Sequence, residues 1–130
     1  MKVHHIGYLV KNIENAVKEF KNIGYKVYSD TSYDIHRDID ICFMEKDGYL
    51  VELISPKSEK SVVYNLLKKI GNSPYHICYI SDNIKQDIAI LRDRNYIVMG
   101  DLCPAPCIGN NANVIFLYNQ NIGIIELLSQ

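Results

Sequence analysis

Two stretches of the chain share one pattern of apolar and polar residues. In the first, a short alternation of apolar and polar residues around His5 is followed by Ile13, Val17 and Phe20 at intervals of three or four residues. The corresponding residues of the second stretch are His76, Ile84, Ile88 and Leu91. Alternation is typical of a strand, and a recurrence near 3.6 residues is typical of a helix. Each stretch therefore predicts a strand followed by an amphipathic helix.

Residues at the ends of the two helical patterns support this interpretation. Asn12 and Asn83 directly precede the helices, and asparagine is a preferred N-cap because its side chain accepts a hydrogen bond from the first turn. Gly24 follows the first helix and Asn95 the second, and both residue types tolerate the left-handed conformation that ends a helix. We expect helices bounded by these residues.

The remaining apolar runs predict further strands and one more helix. Strands are expected near residues 25–28, 39–45 and 49–54, and near 96–99, 113–118 and 123–128. A third helix is expected where one stripe is formed by Val62, Val63, Leu66, Leu67 and Ile70. The chain thus predicts a β-α-β-β-β module that is used twice.

Direct comparison of the two halves strengthens the prediction of a repeat. With an offset of 71 residues, "HIGYLVKNIENAVKEFKNIGYKV" aligns without a gap on "HICYISDNIKQDIAILRDRNYIV", which places His5 on His76. With an offset of 74 residues, "VELIS" aligns on "IELLS", which places Glu52 on Glu126. We expect a single domain, 1–130, whose two modules cover about 1–56 and 74–130 and are joined by a helix-containing linker, 57–73.

The alternation of side chains along a strand places the four aligned polar residues on the sheet face that does not pack on the helices. The apolar neighbours of His5, Glu52, His76 and Glu126 point to the helices, so these four side chains project from the opposite face. We predict an α+β fold in which the tandem modules form a curved, half-barrel mixed sheet, with the four side chains converging on its concave surface.

A divalent metal ion explains why Glu126 lies in the apolar run "IIELL". A buried ionised carboxylate is costly unless a cation or hydrogen bonds compensate it. Two imidazoles and two carboxylates suit one zinc, nickel, cobalt, manganese or iron ion. The alternative is that each residue has a separate structural role, and that alternative is the better one for any of them alone. Because an internal repeat relates all four, we favour the metal site formed by His5, Glu52, His76 and Glu126.

Composition changes this picture little. The chain has 130 residues, 48% hydrophobic content and a net charge of −1, as in ordinary globular proteins. The charge balance provides no reason to expect nucleic acid or an anionic membrane as a partner. The apolar run before Lys11 is too short for a signal peptide or a membrane span, so we expect a cytoplasmic protein.

The remaining candidate residues lack the support of the repeat. Cys103 and Cys107 form the loop motif "CPAPC", whose spacing matches no strong zinc or redox signature, and we interpret them as incidental thiols. His4 points away from His5, and His36 lies in the polar segment "YDIHRDID", where a surface position is favoured over a ligand contact.

The motifs "HHIGYLVKNIENAVKEF", "VELISP", "YHICYISDNI" and "GIIELLS" resemble the vicinal-oxygen-chelate superfamily over nearly the whole chain. The resemblance implies paired β-α-β-β-β modules around a metal, with the four residues named above at the ligand positions. With a carboxylate at Glu52, the chain resembles the four-ligand isomerases of the superfamily. The stretch from "VELISP" to "SPYHI" is most similar to the methylmalonyl-CoA epimerases. A base suggested in some epimerases falls near Asp40 or Ile41, and alternation leaves the direction of Asp40 open.

The resemblance implies a metal-dependent isomerase or epimerase that removes a proton next to a carbonyl group. The substrate expected from it is a methylmalonyl-CoA-like acyl thioester, with Glu126 as the principal base and Glu52 or Asp40 as the acid. The alternatives are glyoxalase I, which acts on the hemithioacetal of methylglyoxal and a thiol, and a non-catalytic small-molecule-binding protein of the bleomycin-resistance kind. A homodimer is expected because dimerisation often covers exposed sheet edges in such folds.

Overall fold

The computed structural model describes residues 1–130 and contains nine strands and three helices. In chain order these are β1 (Lys2–Leu9), α1 (Ile13–Asn22), β2 (Lys26–Val27), β3 (Ser32–Asp34), β4 (Ile39–Lys46), β5 (Tyr49–Pro56), α2 (Tyr64–Ile70), β6 (Ser73–Ile80), α3 (Ile84–Asp93), β7 (Ile97–Pro104), β8 (Asn113–Asn119) and β9 (Gly123–Ser129). Parallel and antiparallel pairs both occur, and the strands do not close into a barrel. The predicted α+β class with mixed strand pairing is confirmed.

The chain forms two compact units, each built around one predicted module. The first unit is residues 5–75, and the second combines residues 1–4 with residues 76–130. Strand order in the first unit is β2-β4-β5-β1, with β3 added on β4, and in the second it is β6-β9-β8-β7. Residues 57–73, predicted as a linker, belong to the first unit. A single domain and a homodimer stay predictions.

Matching strand directions make the two units equivalent. β1 runs parallel to β5, as β6 does to β9, and the last strands of each unit pair in antiparallel fashion. Parallel neighbours need a crossover connection, and the helix that follows β1 or β6 begins that connection. The β-α-β-β-β pattern is confirmed in both units, and β3 is an addition to the first that the sequence pattern did not predict.

Both predicted N-caps are present. The Asn12 side chain accepts a hydrogen bond from the backbone N–H of Asn15 at 2.8 Å, and Asn83 accepts one from Gln86 at 3.2 Å. Each bond satisfies one of the backbone donors that the first turn leaves without a partner inside the helix. The repeat therefore includes the local signals that start each helix.

Left-handed backbone conformations follow the helices and close one hairpin. Gly24 has φ 101° and Asn95 has φ 67°, which confirms the predicted positions where α1 and α3 end. Asp47 and Gly48 have φ 54° and 83° and join β4 to β5 as a two-residue turn. Two positive φ values in succession suit the twist of a tight hairpin, and Asp-Gly is a favoured pair there.

Each unit packs its helix on one face of its strands. In the first unit the helix-side cluster contains Val10, Ile13, Cys42, Met44, Val51 and Leu53, with Val17 and Phe20 packed against it. In the second unit it contains Ile115, Leu117, Ile125 and Leu127, with Ile84, Ile88 and Leu91 packed against it. The neighbours of Glu52 and Glu126 therefore face the helices, as alternation predicted.

The third helix differs from its prediction. α2 covers only 64–70, and none of its residues is buried. Val63, just before it, is buried, whereas Val62 is 68% exposed and Ile70 is 44% exposed. The five apolar residues therefore do not form one buried stripe, because the helix begins after the first two of them. None of the three helices is long and apolar enough to span a membrane.

Candidate metal centre

His5 and Glu52 form a buried pair in the first unit. They lie on the adjacent parallel strands β1 and β5, whose register places Glu52 beside Gly7, two residues from His5 on the same strand face. The His5 Nε2 and Glu52 Oε1 atoms are 3.3 Å apart, and the residues are 1% and 2% exposed. The alternation of β1 and β5 thus aims an imidazole and a carboxylate at the same point.

His76 and Glu126 form the equivalent pair in the second unit. They lie on the parallel strands β6 and β9, where Glu126 is beside Cys78 in register. The His76 Nε2 and Glu126 Oε1 atoms are 3.4 Å apart, and both residues are buried. The two pairs therefore agree in strand geometry, in the atoms that meet and in distance to 0.1 Å.

The interatomic distances in the two pairs fit donors that share one ion. Two donors that are each 2.0–2.1 Å from a tetrahedral ion lie about 3.3–3.4 Å apart. Two buried imidazoles and two buried carboxylates are also a donor set that could hold a metal ion. The residues present thus fit a divalent cation in donor type, burial and spacing.

Phe43 and Phe116 pack beside the two histidines, and sequence reasoning missed them. The rings of His5 and Phe43 meet edge-on, with centroids 5.3 Å apart and planes at 88°. His76 and Phe116 repeat this arrangement at 5.2 Å and 82°. In register, Phe43 is the partner of Glu52, and Phe116 is the partner of Glu126. The signal was present, because "ICFME" and "VIFLY" align when the repeat is given an offset of 73 residues.

The "CPAPC" segment covers one end of the sheet face that carries Glu126. Ala105 and Ala112 are buried against Cys78, Val114 and Leu128. Val114 and Leu128 are register partners, and alternation puts them on the same face as Glu126. All four cysteines are thiols, and Cys103 and Cys107 are partly exposed. The segment is therefore a structural cover, which agrees with the interpretation of its cysteines as incidental.

Asp40, a candidate acid, lies on the wrong face of its strand. It pairs in register with Ser55, which alternation places on the face opposite Glu52. Its carboxylate forms an ion pair with Lys57 at 3.3 Å. Asp40 therefore does not share the surface of the His5–Glu52 pair, and its suggested role as an acid is not supported.

His36 lies in an exposed loop that is held by several hydrogen bonds. The buried Asp34 carboxylate accepts hydrogen bonds from the Arg37 side chain at 2.6 and 2.8 Å and from the His36 backbone N–H at 2.9 Å. At the end of the loop, Ser58 donates a hydrogen bond to Asp38, which lowers the pKa of that carboxyl group. The surface position predicted for His36 is confirmed.

A family model for the glyoxalase/bleomycin resistance protein/dioxygenase superfamily matches residues 4–116. Among curated proteins, the chain is 25% identical to mitochondrial methylmalonyl-CoA epimerase of Dictyostelium discoideum over 130 residues, which cover 97% of this chain and 76% of that protein.

Solved structures share the fold. A hypothetical protein from Bacillus halodurans superposes with a TM-score of 0.87 at 21% identity, covering 99% of this chain and 94% of that one. A variant of Streptomyces coelicolor methylmalonyl-CoA epimerase in complex with 2-nitronate-propionyl-CoA superposes with a TM-score of 0.84 at 20% identity, covering 100% and 94%. Because the family model spans most of the sequence, this protein belongs to the glyoxalase/bleomycin resistance protein/dioxygenase superfamily.

Proposed function

We propose that the protein is a metal-dependent epimerase or isomerase that removes the proton next to the carbonyl group of a methylmalonyl-CoA-like thioester. The observation that carries the proposal is the presence of two buried His–Glu pairs with matching geometry, one from each half of the repeat. Similarity to a methylmalonyl-CoA epimerase along nearly the whole chain supports the substrate class.

His5, Glu52, His76 and Glu126 would together hold one divalent ion, which we expect to be zinc, nickel, cobalt or manganese. Two carboxylates balance its charge of +2, which removes the cost of keeping Glu52 and Glu126 ionised away from water. When bound, the ion would supply Lewis acidity at the carbonyl oxygen of the substrate.

Glu126 is proposed as the base. Its carboxylate accepts the proton as the C–H bond next to the carbonyl breaks, and the bonding electron pair moves towards the carbonyl oxygen to form an enolate. Glu52, from the other half of the repeat, then takes up a proton from solvent and delivers it to the opposite face of the carbon, which completes the epimerisation. Glu126 releases the proton that it removed to solvent, so protons and charge balance and the reaction needs no oxidant or reductant.

Burial of both glutamates would favour proton transfer to and from the substrate. Glu52 and Glu126 are 2% and 1% exposed, so little water competes with the substrate for their oxygens. Electrostatic interactions are stronger in such surroundings than in bulk water. Packing of Phe43 and Phe116 against the imidazoles restricts the other half of each pair.

Metal content tests the assembly of one site from two pairs. We expect elemental analysis of the purified protein to find one divalent ion per chain. His5→Ala and His76→Ala should each abolish that content, whereas His36→Ala, which alters an exposed histidine, should retain it. Two ions per chain, or retention of the ion in either of the first two variants, would contradict a shared site.

Turnover tests the reaction. With methylmalonyl-CoA in D₂O, we expect deuterium to enter the carbon next to the thioester carbonyl, as followed by NMR. Glu126→Gln should lower this exchange by at least about a hundredfold, at the low end for a positioned base. Glu59→Gln, an exposed control, should not change it. Turnover of the methylglyoxal–glutathione hemithioacetal instead would identify a glyoxalase, and turnover of neither substrate would favour a binding protein.

A further inference from the structure

We propose, on the basis of the function proposed above, that the preferred substrate has an apolar group longer than methyl on its reacting carbon. This group would lie on one surface of the second unit, formed by Ile97, Met99, Phe116 and Tyr118, which we name the apolar face.

Strand register connects the apolar face to Glu126. Phe116 on β8 is the register partner of both Glu126 on β9 and Met99 on β7. Register partners in a sheet project to the same side. The three side chains therefore form a row that begins at the proposed base and ends at the edge strand.

A second row extends the same surface. Tyr118 is the register partner of Ile97 and of Ile124, and Ile124 is in turn the partner of His76. Ile97, Met99 and Tyr118 are 64%, 42% and 41% exposed, although exposed apolar side chains gain nothing from water. A continuous apolar surface thus begins at the buried His76–Glu126 pair and is open to a ligand.

One end of this sheet face is covered. Beyond Glu126 in the other direction, Val114 and Leu128 are covered by the turn that carries Ala105 and Ala112. A substituent on a carbon next to Glu126 therefore meets packed protein on one side and the apolar face on the other.

The first unit has a different surface at the equivalent place. The repeat places Lys26 where the second unit has Ile97, and Glu45 where it has Tyr118. Lys26 and Glu45 are themselves register partners, so the row is charged in the first unit and apolar in the second. Since the fold is common to both units, apolar residues at the positions of Ile97 and Tyr118 are not required by the fold.

Length distinguishes the proposed group from methyl. Adjacent strands are about 4.8 Å apart, so Phe116 lies one spacing from Glu126 and Met99 lies two, or roughly 10 Å. A methyl group would contact Phe116 only and leave Met99 and Ile97 in water. A longer alkyl group would cover them.

Proton exchange in a series of 2-alkylmalonyl-CoA thioesters tests this inference. The test compares kcat/KM for methyl, ethyl, butyl and hexyl substituents with the metal-loaded protein, with deuterium uptake followed by NMR. Each methylene buried on the apolar face should raise kcat/KM by up to about fourfold. Met99→Ser and Ile97→Ser should reduce the hexyl-to-methyl ratio by at least about tenfold.

Tyr28→Ser is the matched control. Tyr28 occupies the position of Met99 in the first unit and is also exposed, at 65%. It should leave the hexyl-to-methyl ratio unchanged. A ratio near one in the wild-type protein, or an equal fall in the Tyr28→Ser variant, overturns the inference.

A binding experiment separates failure of this inference from failure of the proposed function. If no thioester exchanges a proton, the proposed function fails, and calorimetry with straight-chain acyl-CoA thioesters still tests the apolar face. Affinity that rises with chain length, and rises less in Met99→Ser, supports the inference. No rise overturns it. Sedimentation of the Met99→Ser variant tests whether a second copy of the chain covers the apolar face. If the wild-type protein is an oligomer that this variant dissociates, and acyl-CoA affinity does not depend on acyl chain length, a second copy occupies the face and the inference is overturned.

Discussion

Each candidate ligand histidine meets an aromatic ring, and this contact has a measurable consequence. The edge-on contacts of His5 with Phe43 and of His76 with Phe116 restrict rotation of the imidazoles, whose Nε2 atoms would face the ion in the proposed site. Such ring contacts contribute about 0.5–1.5 kcal/mol. We therefore expect Phe43→Leu and Phe116→Leu each to weaken metal binding by about two- to tenfold, as measured by competition with a chelator.

A control for the two phenylalanine variants is available in the same fold. Phe20 also makes edge-on contacts, at 5.2 Å with Tyr8 and 5.0 Å with Tyr25, but it lies on α1 in the helix-side cluster. Phe20→Leu should lower the free energy of unfolding and leave metal affinity unchanged. The absorption spectrum of bound Co²⁺ should change only for Phe43→Leu and Phe116→Leu. An unchanged spectrum and affinity in both would remove their positioning role.

The four thiols should differ in reactivity. Burial raises the pKa of the Cys42 thiol, so less of the reactive thiolate is present near pH 8. Cys78 is fully buried, whereas Cys103 and Cys107 are partly exposed. We expect iodoacetamide to modify Cys103 and Cys107 first, as located by peptide mass spectrometry, and to modify Cys42 only in denaturant. Early modification of Cys42 in the folded protein would mean that β4 opens readily.

At the scale of the elements, the two helix caps should make equal contributions. Asn12→Ala and Asn83→Ala each remove a side-chain bond to the first turn, and we expect each to lower the free energy of unfolding by about 1 kcal/mol. Urea denaturation measures the change. Asn22→Ala, at the exposed last position of α1, should change it by less than about 0.5 kcal/mol. A large difference between the two cap variants would show that the repeat is not energetically equivalent.

The repeat made much of the fold predictable. It supports each local signal twice, so the caps, the helix ends and the strand faces of His5 and Glu126 could be inferred together. The third helix, which has no counterpart in the repeat, was predicted, but its late start and β3 were not. They depend on tertiary contacts that no neighbouring pattern reveals.

The surroundings of the site were harder to predict than its candidate ligands. The direction of Asp40 depends on the register of β4 with β5, because a shift of one residue moves every side chain to the other face. The role of Phe43 and Phe116 required an alignment with a different offset from those of the histidines and glutamates. Ala105 and Ala112 lie in a turn, so their burial produces no periodic pattern of apolar residues in the sequence.

At the scale of the whole molecule, the two halves repeat a buried charged group as well as a fold. Each half buries one carboxylate beside one imidazole, and an ionised carboxylate held away from water needs a compensating charge or hydrogen bonds. Under the function proposed above, a single divalent ion would balance the two carboxylates, one from each half. The ion and its four proposed ligands would together be neutral.

Removal of the ion with a chelator tests whether the two halves share one ion. An ion at a free concentration of 100 times its Kd stabilises the folded state by about 2.7 kcal/mol. We expect EDTA to lower the melting temperature of the wild-type protein and of His36→Ala, and calorimetry to record the same loss in both. EDTA should not change the melting temperature of His5→Ala or of His76→Ala, because removal of either imidazole leaves too few donors for the shared ion. If His5→Ala kept about half of the EDTA effect, each half would bind its own ion. The neutral site of four ligands would then be wrong, even if each His–Glu pair were correct.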